Sequence, residues 1–105
     1  MVSKYRAKPT MVNGIRFASK KEGKRYSELK LLERLGEIRD LQLQPRFPLK
    51  VNGELVTTYV ADFSYRDGKS GNWITEDTKG FRTDAYKIKA KLLKALNPGI
   101  DHREI

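Results

Sequence analysis

Tyr59-Val60-Ala61-Asp62-Phe63 and Ile74-Thr75-Glu76-Asp77-Thr78-Lys79-Gly80 are two β-prone stretches, joined through the turn-rich run Arg66-Asp67-Gly68-Lys69-Ser70-Gly71-Asn72. Folded as a hairpin about the centre of that run, the chain sets Asp62 opposite Asp77, 15 residues further on. Side chains alternate across a strand, so Asp77 and Lys79 share one face, and Glu76 falls on the other, where it is expected to be solvated. Two carboxylates and an ammonium then converge on one spot. Two carboxylates with open positions suit a hard divalent cation such as Mg²⁺. A lysine beside them orients or activates a water, which completes the parts needed for metal-assisted phosphodiester hydrolysis.

Working outward, Ser19-Lys20-Lys21-Glu22 fits a capping box and predicts a helix from Ser19 to about Leu35, with Tyr26, Leu29, Leu32 and Leu35 on its buried face and Gly36 as its stop. Before it, Asn13-Gly14 signals a turn, with Ile15-Arg16-Phe17 extended. From Ile38 to Val51 apolar and polar residues alternate, as in a strand broken at Pro45. Asn52-Gly53 marks a second hairpin turn, leading into a strand from Leu55 to about Tyr65. Asn72 to Lys79 is the third strand, ended by Gly80. Thr83 caps a second helix to about Leu96, whose apolar residues are Tyr86, Ile88, Leu92, Leu93 and Leu96, and Ile100 to Ile105 forms a last short strand. The order is αβββαβ, an α/β fold with a small mixed sheet flanked by helices, in one domain over residues 1–105.

The 105 residues carry a formal net charge of +9, with 38% hydrophobic and 33% charged residues. Such a surplus on a small domain predicts a polyanionic partner, most simply nucleic acid. With no cysteine, disulfides, thiolate metal sites and cysteine nucleophiles are excluded, and a single histidine, His102, near the C-terminus argues against a zinc deaminase, a His-Asn-His nuclease or a Ser-His-Asp hydrolase and is itself read as incidental. Apolar runs are short and no charged-then-apolar leader opens the chain, so a cytoplasmic protein without a membrane segment is expected. The basic stretch from Met1 to Thr10, with Lys4, Arg6 and Lys8, reads equally as a phosphate-touching arm or a frayed terminus. Lys20, Lys21, Lys24 and Arg25 crowd the first turns of the first helix against its dipole, an arrangement that contact with phosphate would explain.

Five stretches carry a family resemblance: Phe17-Ala18-Ser19-Lys20-Lys21-Glu22, Gly36-Glu37-Ile38-Arg39-Asp40-Leu41, Leu43-Gln44-Pro45-Arg46-Phe47, Tyr59-Val60-Ala61-Asp62-Phe63 and Glu76-Asp77-Thr78-Lys79-Gly80. In this order they resemble the PD-(D/E)xK nuclease superfamily, with its restriction-endonuclease-like αβββαβ core, and within it a family of small phage and prophage proteins. Ala61 stands where the superfamily's eponymous proline would be. The resemblance implies metal ligation by Asp62, Asp77 and the Thr78 carbonyl, with Lys79 positioning the attacking water. It also implies Glu22 as a helix-borne ligand and Gln44 as a polar group near the scissile phosphate. Each of these two has a second reading, Glu22 as a helix cap and Gln44 as a partner for backbone at the strand break. The implied cofactor is Mg²⁺ or Mn²⁺.

The expected activity is a metal-dependent DNA endonuclease in phage recombination, replication or genome processing, in a bacterial host cell. Lys20, Lys21, Lys24, Arg46, Lys87 and Lys91 are its candidate DNA contacts. A homodimer is expected for a duplex or branched substrate, with a phage or host protein as a further possible partner. Trp73 and the tyrosines are read as core or sheet surface, with a base-stacking platform as the other reading. Two rival functions stand beside the endonuclease: a non-catalytic DNA-binding protein that keeps the fold, and a nuclease acting on RNA.

Overall fold

The computed structural model describes residues 8–78 and 82–105; the expectations placed on Lys4, Arg6, Lys79 and Gly80 lie outside them. Two Asn-Gly pairs set the hairpins. Asn13 and Gly14 (φ 51° and 78°) join β1 (Thr10–Val12) to β2 (Ile15–Phe17), and Asn52 and Gly53 (φ 53° and 80°) join β4 (Arg46–Val51) to β5 (Glu54–Val60). Left-handed backbone at both central positions matches the twist of antiparallel strands, and Asn-Gly adopts it most readily.

Helix α1 (Lys20–Arg34) begins as the sequence predicts, with Ser19 Oγ accepting the Glu22 amide at 3.1 Å. Glu22, Tyr26 and Leu29 are buried. Leu32 is only partly buried and Leu35, the C-cap, is 65% exposed, so the inward face ends sooner than its spacing suggests. The chain turns away at Gly36, and no further turn of helix lies over the sheet.

The two long strands of the sequence reading are each divided. The first becomes β3 (Ile38–Leu43) and β4, the second β5 and β6 (Phe63–Asp67). The breaks face each other. Gln44, at φ 49°, donates its N–H to Asp62 O at 2.9 Å, and Ala61 N–H donates to Pro45 O at 3.1 Å. Pro45 has no N–H to give a ladder, so the hairpin bends there and its two halves enter different sheets. The strand β7 (Trp73–Asp77) follows, and the central sheet has the order β3-β6-β7-β8, where β8 is Asp101–Glu104. Pairs β3/β6 and β6/β7 are antiparallel and β7/β8 is parallel. A parallel return needs a crossover, supplied here by α2 (Asp84–Leu96), which Thr83 caps by accepting the Tyr86 amide at 3.1 Å. With β4–β5 read as an extension of the hairpin, the order α1-β3-β6-β7-α2-β8 is the expected αβββαβ, an α/β fold with a mixed sheet.

Two apolar clusters hold these pieces together. One gathers Phe17, Tyr26, Leu29, Ile38, Phe63, Tyr65 and Ile74 between α1 and the sheet. The other gathers Leu49, Tyr59, Ala61, Ala90 and Leu93 between β4–β5 and α2. On α2 the stripe through Tyr86, Ala90 and Leu93 turns inward, which leaves Ile88 off it and 67% exposed, and Leu96 at the fraying end is exposed too.

The clamp between α1 and the sheet is ionic. Glu76 is fully buried, contrary to the solvated position expected for it: Arg25 Nε and Nη2 each reach a Glu76 carboxylate oxygen at 2.7 Å, and the Tyr65 hydroxyl donates to the same group. Arg25 is therefore a partner of Glu76, which separates it from the neighbouring lysines read with it as candidates for phosphate contact. The hydrogen bonds that Arg25 donates to Glu76 raise its pKa further above its ordinary value, and burial raises that of Tyr65. Removing one partner of such a pair strands a buried charge. Arg25→Met is expected to lower unfolding free energy by about 3–5 kcal/mol in urea titration, and adding Glu76→Met to restore most of that loss.

Candidate functional site at the hairpin break

Asp62 sits at the bend between β5 and β6, where its N–H donates to Glu76 O at 3.1 Å and to Asp77 Oδ1 at 3.1 Å. The chain thus sets Asp62 beside Asp77, as the hairpin reading predicts. The half-buried Asp62 carboxylate turns toward the end of β7, and its Oδ2 accepts Thr78 N–H at 2.7 Å and Thr78 Oγ1 at 3.0 Å. Asp62, Asp77 and Thr78 therefore form one cluster. Gln44 joins it through its backbone, as the donor to Asp62 O, and its exposed residue occupies the strand break.

Along β7 the side chains alternate. Ile74 and Glu76 face α1, and Thr75 and Asp77 face the opposite side. Asp77 is fully buried there. Its Oδ2 accepts the Tyr59 hydroxyl and lies 3.0 Å from His102 Nε2, which is also 2.7 Å from the Tyr59 oxygen. Tyr59 reaches the cluster from β5, and its ring meets His102 edge-on at 5.5 Å between centroids. His102 arrives on β8, where parallel register pairs it with Thr75. It is therefore not incidental: its side chain is 1% exposed and bound to an aspartate of the site.

With Asp77 ionised, its oxygen can only accept, so the hydrogen-bond network assigns the imidazole proton to Nε2. Nδ1 is buried, with no hydrogen-bond partner among the described residues. Protonating Nδ1 would add a buried donor with nothing to receive it. Burial, and next the Lys94 ammonium, hold the His102 pKa below its ordinary value. Burial is also the main cause that pushes the Tyr59 pKa well up, ahead of its bond to Asp77, so the phenol stays protonated.

These partners bear on whether the site fits the divalent cation that the sequence resemblance implies. Glu76 has its charge cancelled by Arg25. Among the described residues Asp77 is held by a phenol, a neutral imidazole and an amide, donors that orient a carboxylate without adding a positive charge to its negative one. With the half-buried Asp62 beside it, that charge forms a hard-oxygen set, and Mg²⁺ commonly uses one or two carboxylates and completes its shell with water and phosphate. The residues present fit in this sense.

Glu22 is buried on α1, the helix whose Arg25 holds Glu76, and among the described residues no three His, Cys, Asp or Glu side chains form a group that could hold a metal. Lys79, expected beside Asp77, lies outside the described residues.

Of the candidate DNA contacts, Arg46 is exposed at the start of β4, next to the break. Lys20, Lys21 and Lys24 are exposed on α1, and Lys87 and Lys91 on α2. A cleft of about 260 Å³ between β5 and the first turns of α2 is lined by residues that include Thr58, Tyr59, Tyr86 and Lys89, and by neither aspartate.

Sequence reasoning missed Tyr59 and His102. Tyr59 had a usable signal, since it lies in the same stretch as Asp62 on a strand leading into the bend. His102 had none, because the register of β8 depends on how the α2 crossover packs.

The family model described as a protein of unknown function, DUF1064, matches residues 2–103. No curated protein matches the chain. Among the described residues no helix is long and apolar enough to cross a membrane.

A depressed histidine pKa has a definite sign. The unfolded chain binds a proton near pH 6.5, whereas the folded chain takes it up only at lower pH. Stability is therefore expected to fall as pH drops below about 6.5 toward the folded-state pKa, and His102→Gln to flatten that segment of the profile. An NMR titration of this sole histidine checks the direction. Tyr59→Phe, which takes a donor from buried Asp77, is expected to lower unfolding free energy by about 1–3 kcal/mol in urea.

Proposed function

The chain belongs to the DUF1064 family, and we propose that it is a nuclease of the PD-(D/E)xK type, which hydrolyses phosphodiester bonds in DNA with a divalent cation. The observation that carries this reading is the pairing of Asp62 with Asp77 at the hairpin break, where Tyr59, His102 and the Asp62 amide orient the Asp77 carboxylate. The αβββαβ order and the charge of +9 support it.

In this reading Asp62 and Asp77, with the Thr78 carbonyl, hold Mg²⁺ or Mn²⁺. The bound cation supplies charge stabilisation at the phosphate and a more acidic water. Tyr59 and His102 fix the rotamer of Asp77, and the Asp62 amide fixes its other oxygen. Thr78 fixes the Asp62 carboxylate. Lys79 positions the attacking water, the role the resemblance gives it. The exposed basic residues Arg46, Lys20, Lys21, Lys24, Lys87 and Lys91 draw in the phosphate backbone, so affinity falls steeply with salt. Two copies of the chain serve the two strands of a duplex or junction. A phage origin and a host or phage partner belong to the same reading.

One observation favours a second reading, a DNA-binding protein that keeps the fold without the chemistry. Both oxygens of Asp77 already accept hydrogen bonds.

The two readings part on one experiment. Purified protein is incubated with Mg²⁺ or Mn²⁺ and labelled single-stranded, duplex, flapped and four-way-junction DNA, with matched RNA alongside. Cleavage is expected on DNA, abolished by EDTA and reduced ~100-fold or more by Asp77→Asn. Salt-sensitive binding of every substrate with cleavage of none would overturn the nuclease reading in favour of the second.

A further inference from the structure

The side of β6 and β7 that carries Asp77 continues, at its far end, into a group that the cleavage reading does not use. Arg39 of β3 and Arg66 of β6 are direct cross-strand partners, and Arg66 is in turn the partner of Trp73 on β7. The Arg66 guanidinium lies 5.0 Å from the Trp73 ring centroid. Arg39 reaches toward the β6–β7 turn, where a Cβ on Gly71 would stand 3.2 Å from its Nη2. Trp73 remains 41% exposed.

Two features of this group are unfavourable for the chain alone. Like charges directly opposite each other on adjacent strands destabilise a sheet, and among the described residues Asp40, exposed and 3.7 Å from Arg66 Nε, is the counter-charge beside the two arginines. A large indole facing water forgoes burial that would favour folding. Shielding of the indole by Arg66 accounts for one arginine and not for Arg39 opposite it. A ligand that is both flat and anionic satisfies all three side chains at once.

We propose that Arg39, Arg66 and Trp73 form a binding surface for an unpaired nucleic-acid strand. The indole and guanidinium planes stack the bases, and the arginine charges take the phosphates. A duplex keeps its base faces inside the stack and offers this surface only phosphate. An unpaired strand offers both. The surface lies four residues from Asp62 along β6 and from Asp77 along β7, about 13 Å at the rise of a strand. A strand held there runs toward the carboxylates, which makes flapped, branched or single-stranded molecules the preferred class. The proposal rests on the nucleic-acid reading above and gives it a substrate class.

Trp73 is the sole tryptophan, so its emission reports the surface directly. The full chain is titrated in EDTA with oligothymidylate, with oligouridylate and with a duplex of equal length. The unpaired strands are expected to quench Trp73 emission. Trp73→Ala is expected to weaken their binding about 10-fold or more, with duplex binding little changed, and Trp73→Phe to keep most of the affinity. Arg39→Gln with Arg66→Gln is expected to reduce the salt slope by about two phosphate contacts. The preferred oligonucleotide shows whether the unpaired strand is DNA or RNA. Unchanged emission at saturation, or wild-type affinity in a Trp73→Ala protein with a native urea midpoint, would overturn the proposal. Because no metal is present, the two readings fail separately. Trp73-dependent strand binding without cleavage removes only the nuclease, and Asp77-dependent cleavage with Trp73→Ala binding normally removes only this surface.

Discussion

The rest of the molecule is arranged around one backbone constraint, the facing breaks at Gln44-Pro45 and Ala61-Asp62. Proline cannot donate, so the ladder between the two long strands cannot run through it. The Gln44 and Ala61 amides bridge the gap, to Asp62 O and Pro45 O. On one side of the bend the hairpin joins the central sheet under α1, and on the other it packs against α2. The two apolar clusters therefore meet at a seam, and Asp62 is the residue left at it. A straight ladder would have kept one sheet and one core.

The consecutive acids Glu76 and Asp77 show how burial and function separate on a strand. Both are fully buried, and alternation sends them to opposite faces. A buried carboxylate needs partners, and the kind of partner decides what it can do. Glu76 meets a bidentate guanidinium, which neutralises it and pins α1 to the sheet, and a phenol that donates to it as well. Among the described residues Asp77 meets a phenol, an imidazole and an amide, which orient it. The first arrangement is structural. The second orients a carboxylate within reach of a half-exposed aspartate, in a chain whose net charge is strongly positive.

Much of this was legible from the residues. The Asn-Gly turns, the Ser19 and Thr83 caps, the pairing of Asp62 with Asp77 and the αβββαβ order follow from local chemistry, which acts over a few residues and needs no knowledge of the rest. The errors share one cause. Leu35 and Ile88 have the right residue type at helical spacing, but which part of a helix meets the sheet is decided by the sheet's extent. Glu76 was assigned to the correct face and the wrong environment, because alternation gives the side of a strand and not what covers it. Arg25 looked like its basic neighbours until α1 was laid across β7.

By itself, then, the sequence determined the elements, their order, the turns and the opposition of the two aspartates. Only the tertiary structure decided the partners: Arg25 for Glu76, Tyr59 and His102 for Asp77, and Arg66 beside Trp73 on the side that carries Asp77. The physical reason is that turns, caps and hairpin register are set by short-range sterics and hydrogen bonds. The register of β8 and the seat of α1 are set by packing between segments far apart in the chain, and no local pattern encodes them.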